Sequence, residues 1–360
     1  MTTIDKLAEL GTSTWLDDLS RDRIKSGNLQ EIKDSKSIVG VTTNPAIFAK
    51  AMSTGNAYDD QIAQLKQQGA DVDTAVYAMS IKDVQDACDI FADVYKTTNG
   101  EDGRVSIEVD PRISADEEGT LKQAKELWEK VDRDNVMIKI PATDESLRAV
   151  SAALAEGISV NVTLIFNVER YQQVIDAYKE GIKRAADNGK DVSKIYSVAS
   201  FFVSRMDTEV DKRLDEIGTD EAKALKGKAG IANARLAYQL FLEEFGKNDL
   251  PEGANKQRPL WASTGVKNPE YPAAMYVTEL AGPNTVNTMP EGTIDAALES
   301  DALNGDTLTN TEAESKKVFE QLEAVGIDLD DVVQVLEREG VEKFVDSWQE
   351  LLDSMETQLK

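Results

Sequence analysis

Short runs in which apolar and polar residues alternate recur along this chain, and between them apolar residues return every third or fourth position. Alternation is the period of a strand with one buried face, and the longer period is that of an amphipathic helix. The strand-like runs are STWLD (13–17), SIVGVTT (37–43), RVSIEV (104–109), NVMIKI (135–140), ISVNVTL (158–164), KIYSVAS (194–200), PLWAS (259–263) and TVNTM (285–289). Helical patterns such as LKQAKELWEKV, VERYQQVIDAYKEGIKRAADNG and ANARLAYQLFLEEFG lie between them. Strands alternating with helices predict a parallel sheet. Eight such units without a nucleotide-binding turn predict the α/β class, closed as a single-domain (β/α)8 TIM-type barrel over residues 1–360. Additional helices are expected between the second and third strands. After the eighth strand come TEAESKKVFEQLEAVG, IDLDDVVQVLEREG, and a tail that keeps Val341, Phe344, Val345, Trp348, Leu351, Leu352 and Met355 at helical spacing. These predict C-terminal helices over 311–360, packed on the barrel.

The stretch NVMIKIPAT (135–143) sets a lysine in an apolar run. As a strand it puts Val136, Ile138 and Ile140 on one face, and Met137 with Lys139 on the other. A helix follows, capped by Thr143, with Asp144 and Glu145 in its first turn and Leu147, Val150 and Leu154 on its apolar face. Lys139 therefore lies near the carboxyl end of a strand and faces away from the helix behind it. The same pattern sets Ser106 and Glu108 opposite Val105, Ile107 and Val109, and Asn161 and Thr163 opposite Val160, Val162 and Leu164. Trp15 and Asp17 share a face, and the second strand runs into Thr42, Thr43 and Asn44 before Pro45. In a barrel such polar positions face inward and gather at the carboxyl end of the strands.

Composition narrows the chemistry. There is no histidine, which excludes a Ser-His-Asp triad, a Cys-His pair and histidine-ligated metals. Cys88 is the only cysteine, so a disulfide within the chain, a CxxC redox pair and a cysteine-built zinc site are excluded too. Cys88 itself sits at helical spacing with apolar residues and reads as core. No GxGxxG follows a strand and no GxxxxGK[ST] occurs, so neither a cofactor nor a metal is expected. Acidic residues outnumber basic ones by 66 to 40, a formal net charge of −26, which argues against nucleic acid and anionic membranes as partners. The start, MTTIDKLAEL, carries no targeting pattern, and no long apolar segment occurs, so a soluble protein of the reducing cytoplasm is expected.

A lysine among carboxylates, amides and hydroxyls, with no metal or cofactor, suits Schiff-base chemistry on a carbonyl. Imine formation and hydrolysis each move protons, roles that fit Glu108 and Asp17. Blander uses of the same residues stay open at this point. Glu108 can pair with Arg112 or Lys139 as a structural salt bridge, TTNP can be only a turn and helix cap, and Asn161 and Thr163 can satisfy each other.

The motifs WLDDLSRDRI (15–24), GVTTNPAIF (40–48), VSIEVDPRIS (105–114), NVMIKIPAT (135–143), GISVNVTLIF (157–166), SVASFFVSRMD (197–207) and LWASTGVKNP (260–269) resemble the transaldolase family, in its longer bacterial form, over nearly the whole chain. That resemblance implies a (β/α)8 barrel in which Lys139 forms a Schiff base with a ketose phosphate. A dihydroxyacetone unit would pass from fructose 6-phosphate or sedoheptulose 7-phosphate to an aldose phosphate. It further implies that Asp17 handles the proton of the hydroxyl beside the cleaved bond, with its neighbour Asp18 pointing away. Glu108 would work through a water that Thr163 helps to hold. Asn44 and Asn161 would bind the dihydroxyacetone hydroxyls, with Ser106 in the same pocket, and Ser200 and Arg205 would bind the sugar phosphate. Shorter relatives carry an arginine after strand seven where this chain reads ASTGVKNP, leaving Lys267 as the second phosphate cation. The competing readings are a fructose-6-phosphate aldolase-type lyase, whose members carry glutamine at Glu108 and tyrosine at Phe202, and a noncatalytic sugar-phosphate-binding barrel. The sequence does not separate a monomer from a homodimer.

Overall fold

The computed structural model describes residues 1–360. Eight strands close a parallel barrel in sequence order: β1 (Thr12–Asp17), β2 (Gly40–Thr42), β3 (Arg104–Glu108), β4 (Val136–Pro141), β5 (Val160–Ile165), β6 (Ser197–Phe202), β7 (Arg258–Ala262) and β8 (Thr285–Met289). The expected fold class is the observed one. The strands that start farthest from their expected positions are β2 and β6. Ser37 is left-handed (φ 57°), so β2 begins only at Gly40. Val192–Lys194 form a 3-10 turn capped by Asp191, which delays β6 to Ser197 and carries it on to Phe202.

Between sheet and helices the core is built mainly from aliphatic side chains such as Val136, Ile138, Ile140, Val160 and Val162, with aromatic rings such as Tyr171 and Phe201 and the fully buried Cys88 among them. The barrel interior is filled separately by Trp15, Met137, Val198, Leu260 and Val286. Gly40 makes room for the tryptophan, since a Cβ there would lie 2.7 Å from its indole. Beneath this layer Arg258 and Asp102 form an ion pair at 3.1 Å. Above it lie the polar residues at the carboxyl ends of the strands.

Helices Pro45–Ser53, Asp59–Gln67, Val72–Ile90 and Ala92–Thr97 occupy the long interval between β2 and β3. The chain ends in helices Glu312–Ala324 and Leu329–Leu359. The sequence reading divides the last of these at Gly340, yet the helix runs straight through. That glycine is a point of close approach, because a Cβ would come within 2.9 Å of the Phe166 ring beyond β5. The terminal helix thus crosses the barrel mouth and brings Phe344 to 6.4 Å from Phe202 between ring centroids. No helix is long and apolar enough to cross a membrane.

Candidate active site

Strand register builds the site. Glu108 on β3 is the lateral neighbour of Lys139 on β4, and Lys139 is the neighbour of Asn161 on β5. All three point inward. The bridging bonds make this plain, because Ser200 on β6 donates to Asn161 Oδ1 at 2.7 Å and Asn161 Nδ2 donates to Ser106 on β3 at 3.3 Å, passing over the intervening β4. A bulge between Val162 and Ile165, with Leu164 left-handed at φ 60°, shifts the register of β5 against β6 beside Thr163 before pairing resumes at Ile165 and Phe201.

Lys139 is 6% exposed, has no carboxylate within salt-bridge distance, and donates to the carbonyl of Thr43. Burial pushes the Glu108 carboxyl up to about 7, against the opposing pull of the Lys139 charge. One oxygen of Glu108 has only a long contact, 3.5 Å, from Thr163 Oγ1, and Oε2 has no protein partner. Helix Val72–Ile90 holds this strand end from outside, Tyr77 donating to the Glu108 carbonyl at 3.3 Å and packing at a tilt against Trp348 of the terminal helix. Asp17 is likewise raised, chiefly by burial and against Lys139 and a 2.8 Å bond from Thr42. Thr42 in turn meets Thr288 of β8 at 2.5 Å. Asp18 points away, as expected, and takes a 2.7 Å bond from Arg23.

A cavity of about 150 Å³ opens above these groups. Of the expected site residues, Asp17, Asn44, Lys139, Thr163, Ser200, Arg205 and Lys267 line it. Glu108, Ser106 and Asn161 do not; they are buried beneath and beside Lys139, behind the lining residues Lys139, Thr163 and Ser200. Asn44 caps helix Pro45–Ser53, accepting from Ile47 N at 2.9 Å, so its Nδ2 stays free for a ligand. The helix-cap use and the site use of Asn44 are therefore compatible. Nor does Arg112 compete for Glu108, since it is held by Asp110 and Asp73.

At the far side Arg205 begins helix Ser204–Ile217 with its guanidinium 4.9 Å from the Phe202 ring centre, no carboxylate partner, and Nη1 unpaired. Lys267 lies on the loop after β7, an exposed residue whose amine borders the cavity rim, where partial desolvation and the Arg205 charge hold it below its ordinary value against the pull of Asp17. Sequence reasoning passed over Thr288, Ser263, Thr264 and Phe344 as lining residues. Thr288 carried a usable signal, for it shares a strand face with Val286 in TVNTM as Lys139 does with Met137. Phe344 carried none, because nothing local places a C-terminal helix over the barrel mouth. No three His, Cys, Asp or Glu side chains converge as a metal site would require.

The family model described as Transaldolase/Fructose-6-phosphate aldolase matches residues 14–355. The chain belongs to this family. It is 58% identical over 358 residues to the transaldolase of Mycolicibacterium paratuberculosis, covering 98% of this chain and 96% of that one. The transaldolase of Mycolicibacterium smegmatis is 58% identical over 357 residues, with the same coverage. That of Mycobacterium leprae is 58% identical over 358 residues. The family membership thus extends across all eight strands and most of the terminal helix.

Proposed function

We propose that this protein is a transaldolase, transferring a dihydroxyacetone unit from sedoheptulose 7-phosphate or fructose 6-phosphate to glyceraldehyde 3-phosphate or erythrose 4-phosphate. The observation that carries this reading is Lys139, a lysine enclosed in a barrel without a counter-ion, beside a carboxyl titrating near neutrality. Its Nζ attacks the ketose C2 carbonyl, and the carbinolamine loses water to give an iminium. Glu108 delivers and removes the protons of that step through a water held against Thr163; its raised position lets it do both at neutral pH. Asp17 takes the proton from the C4 hydroxyl as the C3–C4 bond breaks, and the bonding pair moves into the iminium to form an enamine. The aldose phosphate leaves, the acceptor aldehyde enters, and the same steps run backwards until hydrolysis frees Lys139.

Asn44 holds a hydroxyl of the retained three-carbon unit from the cavity wall, and Asn161, its amide set by Ser106 and Ser200, meets the unit from beneath Lys139. Ser200, Arg205 and Lys267 take the phosphate, Arg205 through a planar fork of donors and Lys267 through charge. Phe202 turns a bare ring to the cavity, with no hydroxyl to order a water against the enamine, which supports transfer over release of free dihydroxyacetone. The acidic balance of the chain supports a cytoplasmic enzyme without nucleic-acid or membrane partners, working as a monomer or homodimer.

The test is borohydride reduction in the presence of fructose 6-phosphate, followed by mass spectrometry of the peptide containing Asn135 to Thr143. A dihydroxyacetone-derived adduct on Lys139, absent from Lys139→Met, is the expected result. Trapping elsewhere, or none on active wild type, overturns the Schiff-base assignment. Rapid release of dihydroxyacetone without an acceptor would instead favour the lyase.

A further inference from the structure

Arg205 and Lys267 are two cations that share one cavity and have no carboxylate partner of their own. Like charges brought together repel, so something must hold the Lys267 loop in place before an anion arrives. The motif SVASFFVSRMD ends in Asp207, and the same helix continues to Asp211 one turn later, on the same face. Each carboxylate is used in the same way. Asp207 takes the backbone N–H of Gly230 at 2.8 Å and the hydroxyl of Tyr276 at 2.5 Å. Asp211 takes the N–H of Gly227 at 2.9 Å and the hydroxyl of Tyr271 at 2.6 Å. Both glycines are places of close approach, since a Cβ on Gly227 would lie 2.9 Å from the Tyr271 ring and one on Gly230 would lie 2.9 Å from Asp207 Oδ2.

Tyr271 and Tyr276 belong to the segment after β7 that carries Lys267. At its near end that segment is held by Ser263, 2.7 Å from Ser204 between hydroxyls, and by Thr264, which donates to the Thr288 carbonyl at 2.7 Å. Between Thr264 and Tyr271 the only side-chain hydrogen bond is the local one that the Glu270 N–H donates to Asn268 Oδ1. A second cavity lies behind this loop, lined by Asp207, Asp211, Tyr271 and Tyr276, and Lys267 borders both cavities. The loop is a partition with room on either side.

We propose that Tyr271 and Tyr276, through Asp211 and Asp207, are positioning residues that clamp the Lys267 loop to the helix bearing Arg205 and so set the spacing of the two cations for a phosphate dianion. The inference rests on the phosphate reading above. Without the tethers Lys267 swings from Arg205 towards the second cavity and the acidic residues there, and the phosphate loses one of its two cations.

The decisive experiment is Tyr271→Phe, which removes a single hydroxyl from a half-buried ring, with Asp211→Asn as a second variant of conserved shape. The expected rise in KM for fructose 6-phosphate is about five-fold, with kcat changed less than about two-fold. The KM for unphosphorylated fructose stays put, and Tyr271→Phe adds nothing in a Lys267→Ala background. Equal losses for both sugars, or effects that multiply in the double variant, would overturn the tether. Calorimetric titration with inorganic phosphate reads the clamp without turnover. Weaker phosphate binding by Tyr271→Phe upholds the tether even if wild type proves unable to transfer dihydroxyacetone, and unchanged binding overturns it even if transfer is confirmed.

Discussion

Two arginines at opposite ends of the barrel make unlike use of the same side chain. Arg258, at the floor, donates to Asp102 at 3.1 Å, to Ser13 at 3.0 Å and to the Glu101 carbonyl at 2.8 Å. Asp102 is completed by Ser13 at 2.8 Å and by the Trp15 indole at 3.0 Å. Arg205, at the mouth, has aromatic rings beneath it, no carboxylate, and a buried nitrogen without a partner. A missing partner alone does not mark a site. Arg104 also leaves Nη2 unpaired, yet it is wholly enclosed between the Tyr95 and Tyr196 rings. What distinguishes Arg205 is an unneutralised charge facing open space, which is the condition for recruiting an anion.

The comparison is broken most severely at the floor. Arg258→Met leaves Asp102 buried with only neutral donors, and losing one partner of a buried pair costs about 3–5 kcal/mol. Stability to urea should fall by an amount near the lower limit, since Ser13 and Trp15 remain, while KM for sugar phosphates in the folded protein is unchanged. A KM shift without loss of stability would mean the floor communicates with the site and is not merely a strut.

The inner faces of β1, β3, β4 and β5 are legible in the sequence because alternation is enforced by the pleat. Lys139, Glu108 and Asn161 fall side by side once parallel strands are placed in order, and Asp18 is turned to Arg23 by the same rule. Alternation carries no depth, however. It could not tell that Glu108, Ser106 and Asn161 lie under the cavity while Thr163 and Ser200 border it. Contacts that join distant segments were silent as well: Phe344 over Phe202, the straight helix through Gly340, and the tyrosine tethers behind Lys267. Each depends on where a helix or loop comes to rest, and tertiary packing decides that.

The second break is at Glu108. Its carboxyl titrates at 4.5 when free and near 7 when folded, so between those values the unfolded chain releases a proton that the native one keeps. Folding stability therefore falls as pH rises through this window, by on the order of 3 kcal/mol at its full extent. Glu108→Gln lacks that slope. Urea unfolding at pH 5 and pH 8 should show wild type losing more stability than the variant over the rise, while the variant loses the limb near pH 7 in Schiff-base trapping. Parallel stability curves for the two proteins would mean Glu108 is ionised in the fold across the range.

The gentlest break is at Arg205 itself, and its sign in stability is the opposite of that at Arg258. Arg205→Met removes a desolvated charge that no carboxylate needs and leaves an apolar chain against Phe202 and Phe166. Stability should hold or rise, whereas KM for fructose 6-phosphate should increase about ten-fold, a loss near 1.4 kcal/mol, with kcat largely retained. Lys267→Ala should cost less, because an exposed point charge shared with solvent contributes less than a half-buried fork of donors. A larger effect at Lys267 would reverse that ranking and move the principal phosphate contact to the loop after β7. If Arg205→Met left KM unchanged, the phosphate would have to lie elsewhere, and the bare charge at the mouth would stand without the anion that explains it.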